Sequence, residues 1–270
     1  MIVFDTFAFN VNVKYQSIGR ARVRLPILVS ILIMTIAELS FQFNHPYLCL
    51  ILHILNVLFV ICLATFKKID LPVMFLPVST FRIVNLSMPI LFPLTIYWIP
   101  LVYVSILPAI FYAVRVLDLT PERLGFTMRF WYLMPVTFVI GAFLGYLEFR
   151  FSKTTSLIPS LSFIDISVLC LVMFVFVGFI EELMFRSVIQ TKLEDTFGRL
   201  TGLLVASAVF GIMHVGSFIL MFISGIVIGF IFQKTKNITL ATVIHGTACV
   251  FAYGLLPMGI RLPTFSVGLS

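Results

Sequence analysis

Apolar residues fall in long runs along the chain, at 25–43, 47–66, 83–114, 130–147, 164–193, 200–214, 217–233 and 238–258. A helix needs about 20 such residues to cross some 30 Å of hydrocarbon, and most of the runs reach or approach that length. Within lipid only a helix or a closed barrel satisfies its own backbone groups. The expected fold class is therefore all-α, a polytopic integral membrane helix bundle. The run 83–114 contains Pro89, Pro93, Pro100 and Pro108, so it reads as one kinked helix or as a hairpin turning near Trp98 and Pro100. Eight or nine transmembrane helices follow. Residues 1–24 read as a tail or amphipathic arm with no secretory signal, 25–163 as the N-terminal helices, 164–258 as the C-terminal helices and 259–270 as a second tail. The Ser-, Thr- and Pro-rich stretch 151–163 reads as the one sizeable outer loop.

Composition agrees. Hydrophobic residues make up 61% of the chain and charged residues 11%, against about 25% charged in a typical globular domain. With 30 Phe and a mean hydropathy of +1.15, lipid must be the solvent for much of the surface. A disordered chain, a coiled coil and a disulfide-rich secreted domain are excluded. Cys49, Cys62 and Cys170 lie in apolar runs and read as small buried side chains; Cys249 is taken up below. The net charge of +7 belongs to loops, and no nucleic-acid partner is expected.

Cytoplasmic loops are enriched in Lys and Arg. With the third run as a hairpin and the N-terminus inside, Lys14, Arg20, Arg22, Arg24, Lys67, Lys68, Arg82, Arg115, Arg123, Arg129, Arg186, Lys192, Arg199, Lys234 and Lys236 fall in or beside cytoplasmic segments. These are fifteen of the 18 basic residues. Arg150, Lys153 and Arg261 fall outside. The distribution favours nine crossings of the cell membrane with a cytoplasmic N-terminus.

An ionisable side chain at the centre of a span costs about 2.5–3.5 kcal/mol on insertion scales, so each marks a candidate site. Glu38 and His53 read as structural, each hydrogen-bonded to a neighbouring helix or to interfacial water. The rest cluster late. Glu182 and Arg186 are four apart, on one helical face, with the acid N-terminal to the base, and they neutralise each other. Glu181 points about 100° away from Glu182, free to face another partner and to act as a general base. If the chain turns near Thr196–Arg199, Glu181 and His214 each lie about 16 residues from the turn and so share a depth. Phe210, four before His214, sets its ring beside the imidazole. His245 lies about 12 Å in from Lys234 and Lys236 on a helical rise. Glu181, His214 and His245 are expected to converge on one water-filled cavity opening to the cytoplasm.

The segments Glu181-Glu182-Leu183-Met184-Phe185-Arg186, Phe210-Gly211-Ile212-Met213-His214 and His245-Gly246-Thr247-Ala248-Cys249 resemble, in order and spacing, the EExxxR, FxxxH and HxxxN motifs of the CPBP family. These are intramembrane glutamic endopeptidases that include type II CAAX prenyl proteases and bacteriocin-processing or immunity proteins. The resemblance covers about residues 164–258. It implies a protease of about eight helices with its cavity open to the cytoplasm and no metal cofactor. It makes Glu181 the base that activates water, assisted by His214, with His245 and residue 249 stabilising the oxyanion. Glu182, Arg186 and Phe210 would support them. Substrates would be peptides or proteins, either prenylated or unmodified leader peptides, met among membrane lipids. The chain departs from the pattern at Cys249, where the family has Asn, since a thiol is a weak hydrogen-bond donor.

Three other readings compete. Glu181, His214 and His245 form a two-His, one-carboxylate set of the kind that binds zinc, although the chain has no HExxH. An ion-coupled transporter also uses intramembrane acids and histidines, but no paired broken segments recur in two halves. A non-catalytic scaffold or immunity protein that keeps the fold would explain Cys249.

Overall fold

In a computed structural model, residues 20–88 and 95–259 are described, apart from the side chains of 20–23 and 215. The regular structure of these residues is helical, with no strand among them. Nine helices carry the fold: α1 Arg20–Gln42, α2 Pro46–Lys67, α3 Leu71–Ser87, α4 Thr95–Val116, α5 Trp131–Ser152, α6 Phe163–Phe197, α7 Arg199–Ile212, α8 Phe218–Thr235 and α9 Ile238–Leu255. Seven contain stretches long and apolar enough to cross a membrane; α3 and α7 are shorter apolar helices. The protein is a polytopic helical membrane protein.

The third run departs from expectation. One helix spans Thr95–Val116, through Trp98 and Pro100, with no hairpin there, and the helix before it runs from Leu71 to Ser87. Hydropathy misses α3 because Asp70, Arg82 and Asn85 dilute it. Arg82 is consequently not a loop residue; it is 7% exposed inside the bundle and drops out of the charge count, as does the fully buried Arg186. Of the expected tails at 1–24 and 259–270, residues 1–19 with Lys14 and 260–270 with Arg261 lie outside the described residues, and residues 20–24 belong to α1.

The bundle turns apolar side chains outward, as lipid demands, and keeps its polar groups inside, set within an apolar core. On α2 the buried positions are Cys49, His53, Asn56 and Val60, whereas Leu48, Ile51, Leu55 and Leu58 are exposed. The most buried span is α9, with 72% of its length inside the bundle against 28% for α2. It packs on α5, on the first half of α6 and on α8. Its contact with α5 depends on two glycines one helical turn apart. A Cβ at Gly141 would stand 2.4 Å from the Ile244 carbonyl oxygen, and one at Gly145 2.4 Å from that of Ala248. This is the small-xxx-small spacing that lets membrane helices approach closely. Because 141 pairs with 244 and 145 with 248, α5 and α9 run parallel.

Helix α6 holds Glu181 and Glu182 in one α-helical turn, Ile180–Glu182, between two π-helical stretches, Val172–Phe179 and Leu183–Gln190. Such wide turns concentrate at functional sites. The helix ends at Phe197, and Gly198, at φ 89°, starts the return into α7, where the turn was expected.

The two ends of the bundle differ. At one, Lys67, Lys68, Arg115, Arg123, Arg129, Lys192, Arg199, Lys234 and Lys236 gather at helix ends and loops. There the 117–130 segment is stitched down by Ser187 Oγ donating to the Leu124 carbonyl at 2.5 Å and Asn237 Nδ2 donating to that of Arg129 at 2.6 Å. At the other end lie Arg150, Lys153 and loop 153–162, whose Leu157 N–H donates to the Tyr253 carbonyl at 2.8 Å. Glu38 and Arg82 lie toward this second end.

Candidate active site

Glu181, Glu182, Arg186, Phe210, His214, His245 and Cys249 are brought together. Glu182 is fully buried between two partners: Oε2 accepts from Arg186 Nε at 2.9 Å and Oε1 from His245 Nδ1 at 2.7 Å. A carboxylate accepts only, so His245 carries its proton on Nδ1 and turns Nε2 the other way. That nitrogen stands 3.7 Å from Glu181 Oε2. Glu181 Oε1 accepts from the Tyr103 hydroxyl, while Oε2 is buried and has no hydrogen-bond partner.

Phe210 forms the floor. Its ring centroid lies 4.9 Å from that of His214, 5.7 Å from that of His245 and 5.1 Å from that of Phe185, with the Arg186 guanidinium 5.2 Å over its face. The FxxxH spacing thus serves two contacts: Phe210 packs on His214, and the Phe210 carbonyl accepts from His214 Nδ1 at 2.9 Å. A carbonyl cannot donate, so a neutral His214 is protonated on Nδ1 and keeps the Nε2 lone pair free.

Glu181, Phe210, His214 and His245 line a cavity of about 320 Å³, with Glu182 and Arg186 packed behind them. Cys249, one turn beyond His245, lines it too, as do Tyr103, Glu148 and Tyr253, three residues that the sequence reading did not single out. Glu148 is 8% exposed, and its Oε1 accepts from the Tyr253 hydroxyl at 2.7 Å.

The cavity runs along the bundle. From Glu181 it extends past Cys249, Glu148 and Tyr253 to Asn85, Thr95, Trp98 and Leu157, all in the halves of their helices remote from the basic loops or in loop 153–162. Toward the basic end, Phe185, Arg186, Val188, Ile189 and Phe232 are at most 2% exposed and fill the bundle. The lining thus extends away from the basic loops, toward which the sequence predicts an opening. His245 does lie closer to Lys236 than to the far end of α9, but the space in front of it leads the other way.

The zinc alternative gains no geometry. Among the described residues, the set whose potential ligand atoms lie within 4.8 Å of one another is Glu38, Cys49 and His53, not Glu181, His214 and His245. In that set Arg82 already holds both Glu38 oxygens, at 2.7 and 2.6 Å.

The helical membrane bundle thus brings paired glutamates and two histidines together at one cavity. Residues 162–251 match the family model described as Type II CAAX prenyl endopeptidase Rce1-like. The match supports the CPBP/CAAX protease family, which the three motifs resemble, and at the level of that family a CAAX-type intramembrane protease. Comparison with curated proteins and with solved structures gave no match.

Proposed function

We propose that the protein is an intramembrane endopeptidase in which Glu181 activates the attacking water. The observation that carries this reading is Glu181 Oε2, a buried carboxylate oxygen without a partner that faces His245 Nε2 across 3.7 Å in a cavity. A water there passes a proton to Glu181 as its oxygen bonds to the substrate carbonyl carbon. The negative charge gathers on the carbonyl oxygen, the carbon–nitrogen bond then breaks, and the proton leaves with the amine. Tyr103 holds Oε1 and so fixes which carboxylate oxygen is free. Glu182 fixes the His245 ring through Nδ1. His214 offers Nε2 to the same space. His245 and the Cys249 thiol are the groups beside the developing oxyanion.

The site sits in the cell membrane with the N-terminus and the basic loops cytoplasmic, so its cavity leads to the opposite face. The uneven distribution of Lys and Arg supports the orientation, and the direction of the cavity supplies the rest. With Cys62 replaced, a cysteine at Thr155 should react with an impermeant maleimide in intact cells and one at Lys234 should not; labelling only at 234 would turn the site to the cytoplasm. The chemistry is tested by comparing new peptide termini in membranes carrying wild type and Glu181→Gln. A set of termini present only with wild type is expected, and identical sets would refute the assignment.

Cys249 also favours a second reading, a relative that keeps the fold without turnover, because losing one oxyanion donor costs on the order of 10²–10³ in rate.

A further inference from the structure

We infer that Glu148 is a recognition site for a cationic nitrogen on the substrate, about three residues from the bond that is cut. The inference rests on the peptidase reading. Glu148 is an acid more than nine-tenths buried that lines the catalytic cavity yet forms no ion pair among the described residues. Its one hydrogen bond, from Tyr253, occupies Oε1. Among the described residues no Lys or Arg lines the cavity, whereas Glu148 and Glu181 both do, and Phe81, Trp98, Tyr103 and Tyr253 supply aromatic faces. A cation entering this space meets a carboxylate and rings that attract it, and an anion meets neither.

The α5–α9 packing sets the distance. Gly141 lies against Ile244 and Gly145 against Ala248, so Glu148 is level with about residue 251 of the parallel α9, six positions beyond His245. At the rise of an α-helix that is about 9 Å along the bundle, which an extended peptide covers in about three residues. Glu148 also lies on the path from Glu181 to the cavity's far end, so a substrate entering there passes it.

The cation has two sources, a Lys or Arg side chain or a free α-amine. The commitment is to the side chain, because an endopeptidase cuts within a chain. The test begins with the termini that wild type generates and Glu181→Gln does not. Lys or Arg should be enriched about three residues from these cuts. Synthetic versions of one such segment, with Lys, Gln or Glu at that position and with free or acetylated N-termini, are then assayed with wild type, Glu148→Gln and Glu148→Lys in liposomes. With wild type, Lys should be preferred over Glu by at least about tenfold in kcat/KM, mainly through KM, on acetylated peptides as on free ones. Glu148→Gln should shrink that ratio and Glu148→Lys reverse it. Tyr253→Phe, which removes only the hydroxyl, should keep the preference should the Glu148 variants misfold. No basic enrichment and no preference for Lys would overturn the subsite while leaving the peptidase intact. A preference that vanishes on acetylation would overturn the side-chain assignment. Termini identical in wild type and Glu181→Gln would sink the peptidase reading and the subsite with it.

Discussion

The bundle buries two clusters of the same composition, acid, histidine and arginine, and only one of them lies at the cavity. In the N-terminal helices Glu38 accepts two hydrogen bonds from Arg82 and one from His53 Nε2, at 3.1 Å; the other ring nitrogen of His53 meets Ser79 Oγ at 3.2 Å. Both carboxylate oxygens are engaged, and no residue of the cluster lines the cavity. In the C-terminal helices Glu182 plays the part of Glu38, between Arg186 and His245. The difference is one residue. Glu181, beside it in sequence, shares the burial but pairs with no Lys or Arg among the described residues, and its Oε2, 3.7 Å from His245 Nε2, makes no hydrogen bond. A buried ion pair with every group satisfied holds helices in register; an unsatisfied acid in a cavity is a cost that function explains. The clusters also touch. Arg82 donates to the Met213 carbonyl at 3.0 Å, one residue before His214, so the N-terminal cluster braces the end of α7 on which that histidine stands.

The comparison breaks most visibly if a pair is split. Arg82→Met strands Glu38, and Glu182→Gln strands Arg186, whose Nη1 and Nη2 already lack hydrogen-bond partners. Each should cost about 3–5 kcal/mol of stability, read as a lowered midpoint of thermal or denaturant unfolding in detergent. An unchanged midpoint in either would mean that the pair contributes no net stability. A smaller effect is expected at Cys249. An Asn there offers two good donors in place of a weak one, so Cys249→Asn should raise turnover about tenfold without loss of fold, and Cys249→Ala should not. Equal rates in all three proteins would remove position 249 from the reaction. The smallest expected effect is none: exhaustive chelation and dialysis should leave cleavage unchanged, and loss that zinc restores would bring back the metal reading.

Legibility in the sequence followed cost. Glu181, Glu182, Arg186, His214 and His245 were visible because each interrupts an apolar run, where an ionisable group is expensive. Phe210 was visible only through its spacing to His214. Tyr103 and Tyr253 were not, among 8 Tyr and 30 Phe, since an aromatic within a span is ordinary. Glu148 was not, because it falls just past the run 130–147, two residues from Arg150, and so interrupts no apolar run. The signal that could have exposed it is Gly141-Ala142-Phe143-Leu144-Gly145, which marks the α5 face that meets another helix closely and so turns Glu148, seven residues beyond Gly141, inward. Arg82 was misplaced because charge counting treats a basic residue outside an apolar run as loop, whereas Glu38 pairs with it inside the bundle. The direction of the cavity could not be read at all: His245 and Glu181 lie near mid-depth, and which side is hollow depends on packing between helices distant in sequence.

The contrast between the clusters is tested most directly by making the same isosteric change in each, Glu181→Gln and Glu38→Gln, and measuring cleavage per folded molecule. Glu181→Gln should lose on the order of 10²–10⁴ in rate with an unfolding midpoint no lower than wild type, since it neutralises an acid that pairs with no Lys or Arg among the described residues. Glu38→Gln should lower the midpoint and leave the rate of the folded fraction within a few-fold of wild type. Full activity in Glu181→Gln, or a loss in Glu38→Gln as deep as that in Glu181→Gln, would contradict the account.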